Sequence, residues 1–379
     1  MTITLFEDDE WKKFLPIAWT RGVWDIITGG FTQKKRARLF YDSDIFTYSK
    51  RDYIKNNYPE DPPFVYVNAR LMNFIPISEL KEDTIVRSRN TIAYIYSNKV
   101  IDPLTPPEFP IKDMDIPFFN AIYEVIEEFP ERLKRDLESL IKNTKIKEIE
   151  GVYIIGEHKA IIGNNVEISP PITIDTDEGP VIIGAGTKIE PFTFIKGPVL
   201  IGNNCFIKSG TRLTDGIFLG DWTKIGGEIE HTIIQGYSNK QHQGFLGHSY
   251  IGEWVNLGAG TTNSDLKNNY SNVSIITPDG KIKTGMRFLG LIAGDHTKSA
   301  INTSFNTGTL VGPFVNIVSS GFPPKYIPPF TWYVEKGEEY DLEKALETAT
   351  IVMKRRNVVM DDVYKSMVKR VFELTKQTR

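Results

Sequence analysis

At 379 residues, 40% apolar and 25% charged, the chain has room for two or three globular domains and lacks the composition of a disordered protein. A formal charge of −3 with no basic run argues against a nucleic-acid surface, and the single cysteine, Cys205, excludes an internal disulfide. The segment ending at Trp11 is acidic, with no basic stretch leading into an apolar one, and nothing approaches a membrane span; a cytoplasmic protein without nucleic-acid or membrane partners is expected.

Residues 1–150 read as an α/β layer. Apolar strands at Ile3–Phe6, Phe64–Val67 and Thr91–Tyr96 alternate with polar, helix-compatible stretches. Gly29-Gly30, followed by Gln33, Lys34, Lys35 and Arg36, fits either a structural turn or a phosphate-binding one. Pro103, Pro106, Pro107 and Pro110 interrupt regular structure, and Phe118–Lys142 reads as a helix broken or restarted at Pro130.

Residues 151–335 carry a different period. From Ile183 onward an aliphatic residue stands at every sixth position: Ile183, Ile189, Ile195, Ile201, Ile207, Leu213, Leu219 and Ile225. Four residues after each lies a small or β-branched one, among them Thr187, Thr193, Cys205, Thr211 and Thr223, which makes Cys205 a packing residue. A period of six fits neither an amphipathic helix nor an isolated strand. It fits a solenoid in which three hexads close a triangular turn of about 18 residues and successive turns pair as parallel sheets. The pattern starts at Ile162, Ile168 and Ile174, slips by three residues, and returns at Phe245, Ile251 and Leu257 and at Phe305, Val311 and Ile317. Its two gaps, Glu230–Gly244 and Thr262–Ser304, are where loops are expected to leave the rod.

Residues 336–379 follow helical spacing, with Leu342, Ala345, Leu346, Ala349, Val352 and Met353 in one segment and Val363, Met367, Val371 and Leu374 in a second. These two helices are expected to pack on the rod or cap its open end.

The first gap contains Gly236-Tyr237-Ser238-Asn239-Lys240-Gln241-His242-Gln243-Gly244-Phe245-Leu246-Gly247, followed by Ile251-Gly252-Glu253-Trp254-Val255-Asn256-Leu257-Gly258-Ala259-Gly260-Thr261. This run resembles the acetyltransferase half of the bacterial bifunctional enzymes that make UDP-N-acetylglucosamine. The resemblance implies a left-handed parallel β-helix assembled as a homotrimer, although the ordinary crossover rule favours the right hand. It implies acetyl-CoA as cosubstrate, an amino-sugar phosphate such as glucosamine-1-phosphate as acceptor, His242 as general base and Asn256 as a sugar contact. The chemistry is coherent, because acyl transfer to an amine needs a base with a pKa near neutral. Lys240 and Arg212 are placed to meet a sugar phosphate, Gly258, Ala259, Gly260 and Gly308 suit the close approach of a pantetheine arm, and His296 is the alternative base. His158, His231 and His248 read as surface or corner residues. Phe245 stands where the family carries a Tyr, so a hydroxyl is missing from that substrate contact.

Leu15-Pro16-Ile17-Ala18-Trp19-Thr20-Arg21 is similar to the start of the reduced sugar-nucleotidyltransferase-like domain in a shorter branch of this family. The similarity implies nucleotide binding, with Arg21 and Lys34 as phosphate partners, and Mg²⁺ as a cofactor if that domain is active. The usual glycine-rich loop after the first strand is absent, and Phe64–Val67 runs into Asn68 where an Asp would hold the metal. Two further readings stay open: a working nucleotidyltransferase with the rod as an assembly scaffold, and a catalytically silent sugar-nucleotide sensor.

Overall fold

The structure is a computed structural model that describes residues 2–59, 61–77, 82–141, 150–319 and 321–378. It contains two compact units, one of Met1–Ile27 and Phe31–Val125, the other of Thr28–Gly30 and Ile126–Arg379. Among the described residues no helix is long and apolar enough to cross a membrane.

The first unit is built on a six-stranded mixed sheet. β1 (Thr2–Phe6) pairs in parallel with β2 (Ile45–Tyr48) and β3 (Phe64–Asn68), while β5 (Thr91–Ser97) runs antiparallel to both β3 and β4 (Thr84–Ser88). β6 (Ile111–Asp113) extends the edge beside β4. All of β3 is buried, as a strand covered on both faces requires. Helix α1 (Gln33–Tyr41) makes the crossover from β1 to β2 and starts at Thr32, whose hydroxyl accepts the Lys35 N–H at 3.1 Å. Two carboxylates at the end of β1 are spent on arginines: Glu7 holds Arg51 at 2.6 Å and Asp8 holds Arg70 at 2.6 Å.

The second unit begins with Thr28–Gly30 and the rest of helix α2 (Ile122–Leu140). The expected break at Pro130 does not occur; the helix runs through it, and the expected helix end at Lys142 lies outside the described residues. A proline here cannot donate to the carbonyl four residues earlier, that of Ile126. His231 of the rod takes that place, its Nε2–H donating to Ile126 O at 2.6 Å. The lost helical bond becomes an anchor. Replacing His231 by Ala, which strands the Ile126 carbonyl, is expected to lower stability by about 1–3 kcal/mol, and His231→Gln, which keeps a donor, by less. Urea midpoints of the two variants check this.

The rod is a parallel β-helix of hexapeptide repeats. On one face the inward positions align coil over coil as Ile162, Ile183, Ile201, Leu219, Ile234, Ile251, Ala293, Val311 and Ile327. A second face stacks Ile154, Ile174, Ile195, Leu213, Ile229 and Leu246, and a third stacks Ile168, Ile189, Ile207 and Ile225. These side chains form one continuous core with Cys205 inside it. Each buried Ile or Leu contributes roughly 1.5–3 kcal/mol, so the column holds the coils together without helices on every face.

Two expectations are corrected. Glu230–Gly244 is not a loop: Glu228–Gly236 and Asn239–Lys240 are strands paired with their neighbours, and a bulge between Thr214 and Ile217 of the preceding strand absorbs the shortened coil. The inward residue after it is Leu246, and Phe245 faces outward beside Glu228. In the second gap the hairpin Ser274–Thr277 with Gly280–Lys283 does leave the rod, but the coil resumes at Leu291–Ala293 and Lys298–Ser299, before Ser304. Ala293 and Ser299 keep the six-residue spacing with side chains too small or polar to register as aliphatic.

One corner of the rod carries a ladder of aromatic rings. Tyr237 stacks on Trp254 at 4.2 Å, and His296 on Phe314 at 4.6 Å, which stacks in turn on Phe330 at 4.9 Å. Each of these residues has a left-handed backbone, with φ between 52° and 61°, a conformation aromatics rarely adopt and here offset by stacking. Helices α3 (Leu342–Lys354) and α4 (Asp362–Leu374), capped by Asp341 and Asp361, pack on this flank; Phe372 meets Phe330 edge-on and Tyr364 lies 3.1 Å from His296 Nε2. The last coil ends in the antiparallel pair Thr331–Tyr333 with Gly337–Glu339, which turns its edge.

Candidate active site

The third face of the rod presents one outward polar residue per coil: Lys224, Asn239, Asn256 and Lys298 are direct register partners on successive strands. Parallel neighbours lie about 4.8 Å apart, so the four make a short vertical row. The end of α3 brings Val352, Arg355 and Arg356 over it, and Tyr237, Trp254 and Gln241 complete a cavity of about 310 Å³.

Four cations and no carboxylate line this cavity. Burial pushes the Lys298 ammonium down to about 8, and its Nζ donates to His296 O at 2.9 Å. Lys224 is lowered by burial and then by the charges of Arg356 and Arg355, and Arg356 by burial and Arg355. Arg356 Nη2 reaches Asn239 Oδ1 at 3.4 Å. Cations that depress one another in a pocket without a counter-charge are relieved by an anion, and several of them together suit a phosphate. The stacked Tyr237–Trp254 pair adds an apolar wall beside the charges.

Of the residues expected from the sequence, Asn256 lines this pocket. His242 follows Gln241 into the corner that joins the third face to the face bearing Phe245; its ring is exposed and makes no hydrogen bond to a described residue. Arg212 lies across that corner, exposed, with Glu228 at 3.7 Å and the Phe194 ring at 5.5 Å, in the same outward row as Phe245. Asn256 and His242 thus sit on and beside the pocket, whereas Arg212 and Phe245 flank the other side of the corner.

Other expectations change. Lys240 is not a surface charge: it occupies the inward slot after Ile225, is 2% exposed, and donates to His242 O at 2.8 Å and Gly226 O at 3.4 Å. Burial lowers its pKa from 10.5 to about 8, so the unfolded chain binds more protons between those values and stability tied to Lys240 rises as pH climbs through that window. Wild type is therefore expected to gain on Lys240→Met by roughly 1.4 kcal/mol per pH unit between about pH 8 and 10, read from denaturant midpoints. His296 is 1% exposed within the aromatic ladder, which removes it as an accessible base. Gly308 is buried beneath Val273, so it offers no groove to a ligand. Gly258, Ala259 and Gly260 form a half-buried corner in which a Cβ at Gly258 would strike Ala300 at 2.5 Å and Gly260 has φ +71°; coil stacking alone requires both glycines.

In the first unit, Lys34 lines a cavity of about 460 Å³ with Thr32, Lys35, Arg38, Asp44 and Asn57. Arg21 is half-buried and its carbonyl accepts Arg51 Nη2 at 2.9 Å. The Gly29-Gly30 turn is structural, since Gly30 N–H donates to Asp136 Oδ2 at 2.8 Å and Arg132 Nε–H to Thr28 O at 2.7 Å. At the end of β3, Asn68 Nδ2 donates to Asp8 Oδ2 at 2.9 Å, and Asp8 is already engaged by Arg70. An amide beside a neutralised carboxylate does not fit a Mg²⁺ site.

The sequence reading missed Lys224, Lys298, Arg355 and Arg356. Lys224 and Lys298 sit in outward hexad slots, a usable signal; Met353-Lys354-Arg355-Arg356-Asn357 fits the same short branch of the family, but nothing in that run places the arginines at a pocket before α3 is docked.

The fold is a hexapeptide-repeat parallel β-helix preceded by an α/β unit, and both parts of the chain resemble transferase families. Residues 3–145 match the family described as sugar nucleotidyl transferase, and residues 180–215 the bacterial transferase hexapeptide family. The chain is 32% identical over 151 residues to the uncharacterized acetyltransferase YaiX of Escherichia coli O6:K15:H31, covering 39% of this chain and 66% of that one. It is 32% identical over 166 residues to the bifunctional sugar-1-phosphate nucleotidylyltransferase/acetyltransferase of Sulfurisphaera tokodaii, covering 43% and 39%. To the bifunctional protein GlmU of Methanococcus aeolicus it is 27% identical over 270 residues, covering 65% of each. The chain spans less than two thirds of the length of these relatives.

Proposed function

We propose that the rod transfers an acetyl group from acetyl-CoA to the amine of an amino-sugar phosphate, with glucosamine-1-phosphate the first acceptor to test. The supporting observation is the cavity in which Lys224, Lys298, Arg355 and Arg356 converge without a carboxylate, with Asn256 in its wall and His242 on the adjoining corner. Both substrates carry phosphate, and the cavity supplies the opposing charge. In the reaction the His242 imidazole takes a proton from the acceptor amine as the nitrogen attacks the thioester carbonyl, and CoA leaves as its thiol. The relatives named for acetyltransferase activity support the same class. The resemblance noted in the sequence also implies, as part of this proposal, that the rods assemble as trimers in the cytoplasm.

The test is direct. Incubation with acetyl-CoA and glucosamine-1-phosphate is expected to release free thiol and N-acetylated sugar; no thiol release with any amino-sugar phosphate sinks the reading.

A second reading, nucleotidyl transfer by the first unit, rests on the cavity lined by Lys34, Lys35 and Arg38 and on the match of residues 3–145. It predicts pyrophosphate from a sugar-1-phosphate and UTP or dTTP. The Asn68–Asp8–Arg70 arrangement weighs against it.

A further inference from the structure

A separate group of side chains, none of which lines the basic cavity, gathers on the rod at the root of the 264–290 excursion. Glu230 belongs to the strand Glu228–Gly236 and His248 to its neighbour Phe245–Glu253, where Glu230 is in register with Gly247. Asp265 follows the short strand Thr262–Asn263, and its carbonyl accepts the Leu289 N–H at 2.9 Å. The His248 Nδ1 lies 2.8 Å from Asp265 Oδ2. A carboxylate oxygen of Glu230, a ring nitrogen of His248 and a carboxylate oxygen of Asp265 all fall within 4.8 Å of one another.

The imidazole is held in place before any ligand arrives. It is stacked between His231 at 4.4 Å and Phe288 at 4.9 Å, and its backbone carbonyl accepts the Gly290 N–H at 2.8 Å. Glu230 is half-buried, and its carboxylate accepts no hydrogen bond from a described residue.

We propose that Glu230, His248 and Asp265 form a divalent-metal site with one nitrogen and two carboxylate ligands. Metal–ligand bonds near 2.1 Å at right angles place neighbouring donors about 3 Å apart, close to the existing separation of His248 and Asp265. Imidazole with carboxylates and no thiolate selects Zn²⁺ or Mn²⁺ over soft cations, and over Mg²⁺ or Ca²⁺, which take all-oxygen sets. On binding, the Nδ1 proton now given to Asp265 shifts to Nε2, so the ring stays neutral, and the metal bonds to the nitrogen it vacates. The structural consequence is a clamp: Asp265 begins the excursion and Glu230 and His248 belong to the coils, so the ion ties one to the other.

The 379-residue chain, stripped with EDTA and titrated with ZnCl₂ or MnCl₂ by calorimetry, is expected to bind one ion per chain. Glu230→Gln and Asp265→Asn, both near-isosteric, are each expected to weaken binding by about tenfold or more, and the double variant to abolish it. His242→Ala is expected to bind the ion as wild type does. No saturable binding of either metal, or unchanged binding in the correctly folded double variant, overturns the site. Neither result bears on acetyl transfer, whose assay is read separately.

Discussion

Replacing His242 by Ala is expected to reduce kcat for acetyl transfer by roughly 10²–10⁴, with the folded state nearly unaffected. An alkylammonium has no lone pair with which to attack a thioester, so the step waits on a base, and an imidazole titrates in the right range. His242 is exposed, so truncation removes little burial and should change stability by no more than about 0.5 kcal/mol. His296→Ala supplies the contrast. That ring is 1% exposed, stacks on Phe314 and meets Tyr364, so its loss should show in the unfolding midpoint. Full turnover in His242→Ala would remove this residue as the base.

Replacing Arg355 and Arg356 together by Ala is expected to raise KM for the phosphate-bearing substrate by roughly 10²-fold or more, with a smaller effect on kcat. A hydrogen bond to a charged group is worth about 1.5–3 kcal/mol, and two are lost. The pKa of Lys224, lowered first by burial and then by these same arginines, should rise in the double variant, because the two like charges are gone while the burial remains. Salt offers a second readout: raising ionic strength should weaken wild type more than the variant, since fewer charges remain to be screened. An unchanged KM, or equal salt dependence in both proteins, would show that the pocket does not hold the phosphate.

The fold was legible where neighbouring coils repeat one another. The hexads from Ile183 to Ile225 face inward as their spacing requires, and the strands expected at Ile3, Phe64 and Thr91 are present. Legibility failed where a coil kept the spacing but changed the side chain. Lys240, Ala293 and Ser299 occupy inward slots without an aliphatic residue, so the coils containing them resembled loops. It failed again at Pro130, where the bond that keeps the helix continuous comes from His231, about a hundred residues further along the chain. In the candidate site, Asn256 was named in advance and lines the pocket, whereas His242, expected on a loop leaving the rod, stands on a corner between paired strands, and Lys240 turns inward.

What the sequence by itself determined is the parallel coil and its two closing helices. Each depends on contacts between residues a fixed short distance apart, which a period reveals. The tertiary structure decided where charge collects. Lys224 and Lys298 become neighbours of Arg355 and Arg356 because strand register stacks the lysines and α3 docks its last turn over that row, and Glu230, His248 and Asp265 converge because a bulge and a returning excursion meet at one edge. Register across coils and the docking of a helix are long-range packing outcomes, and no local pattern encodes them.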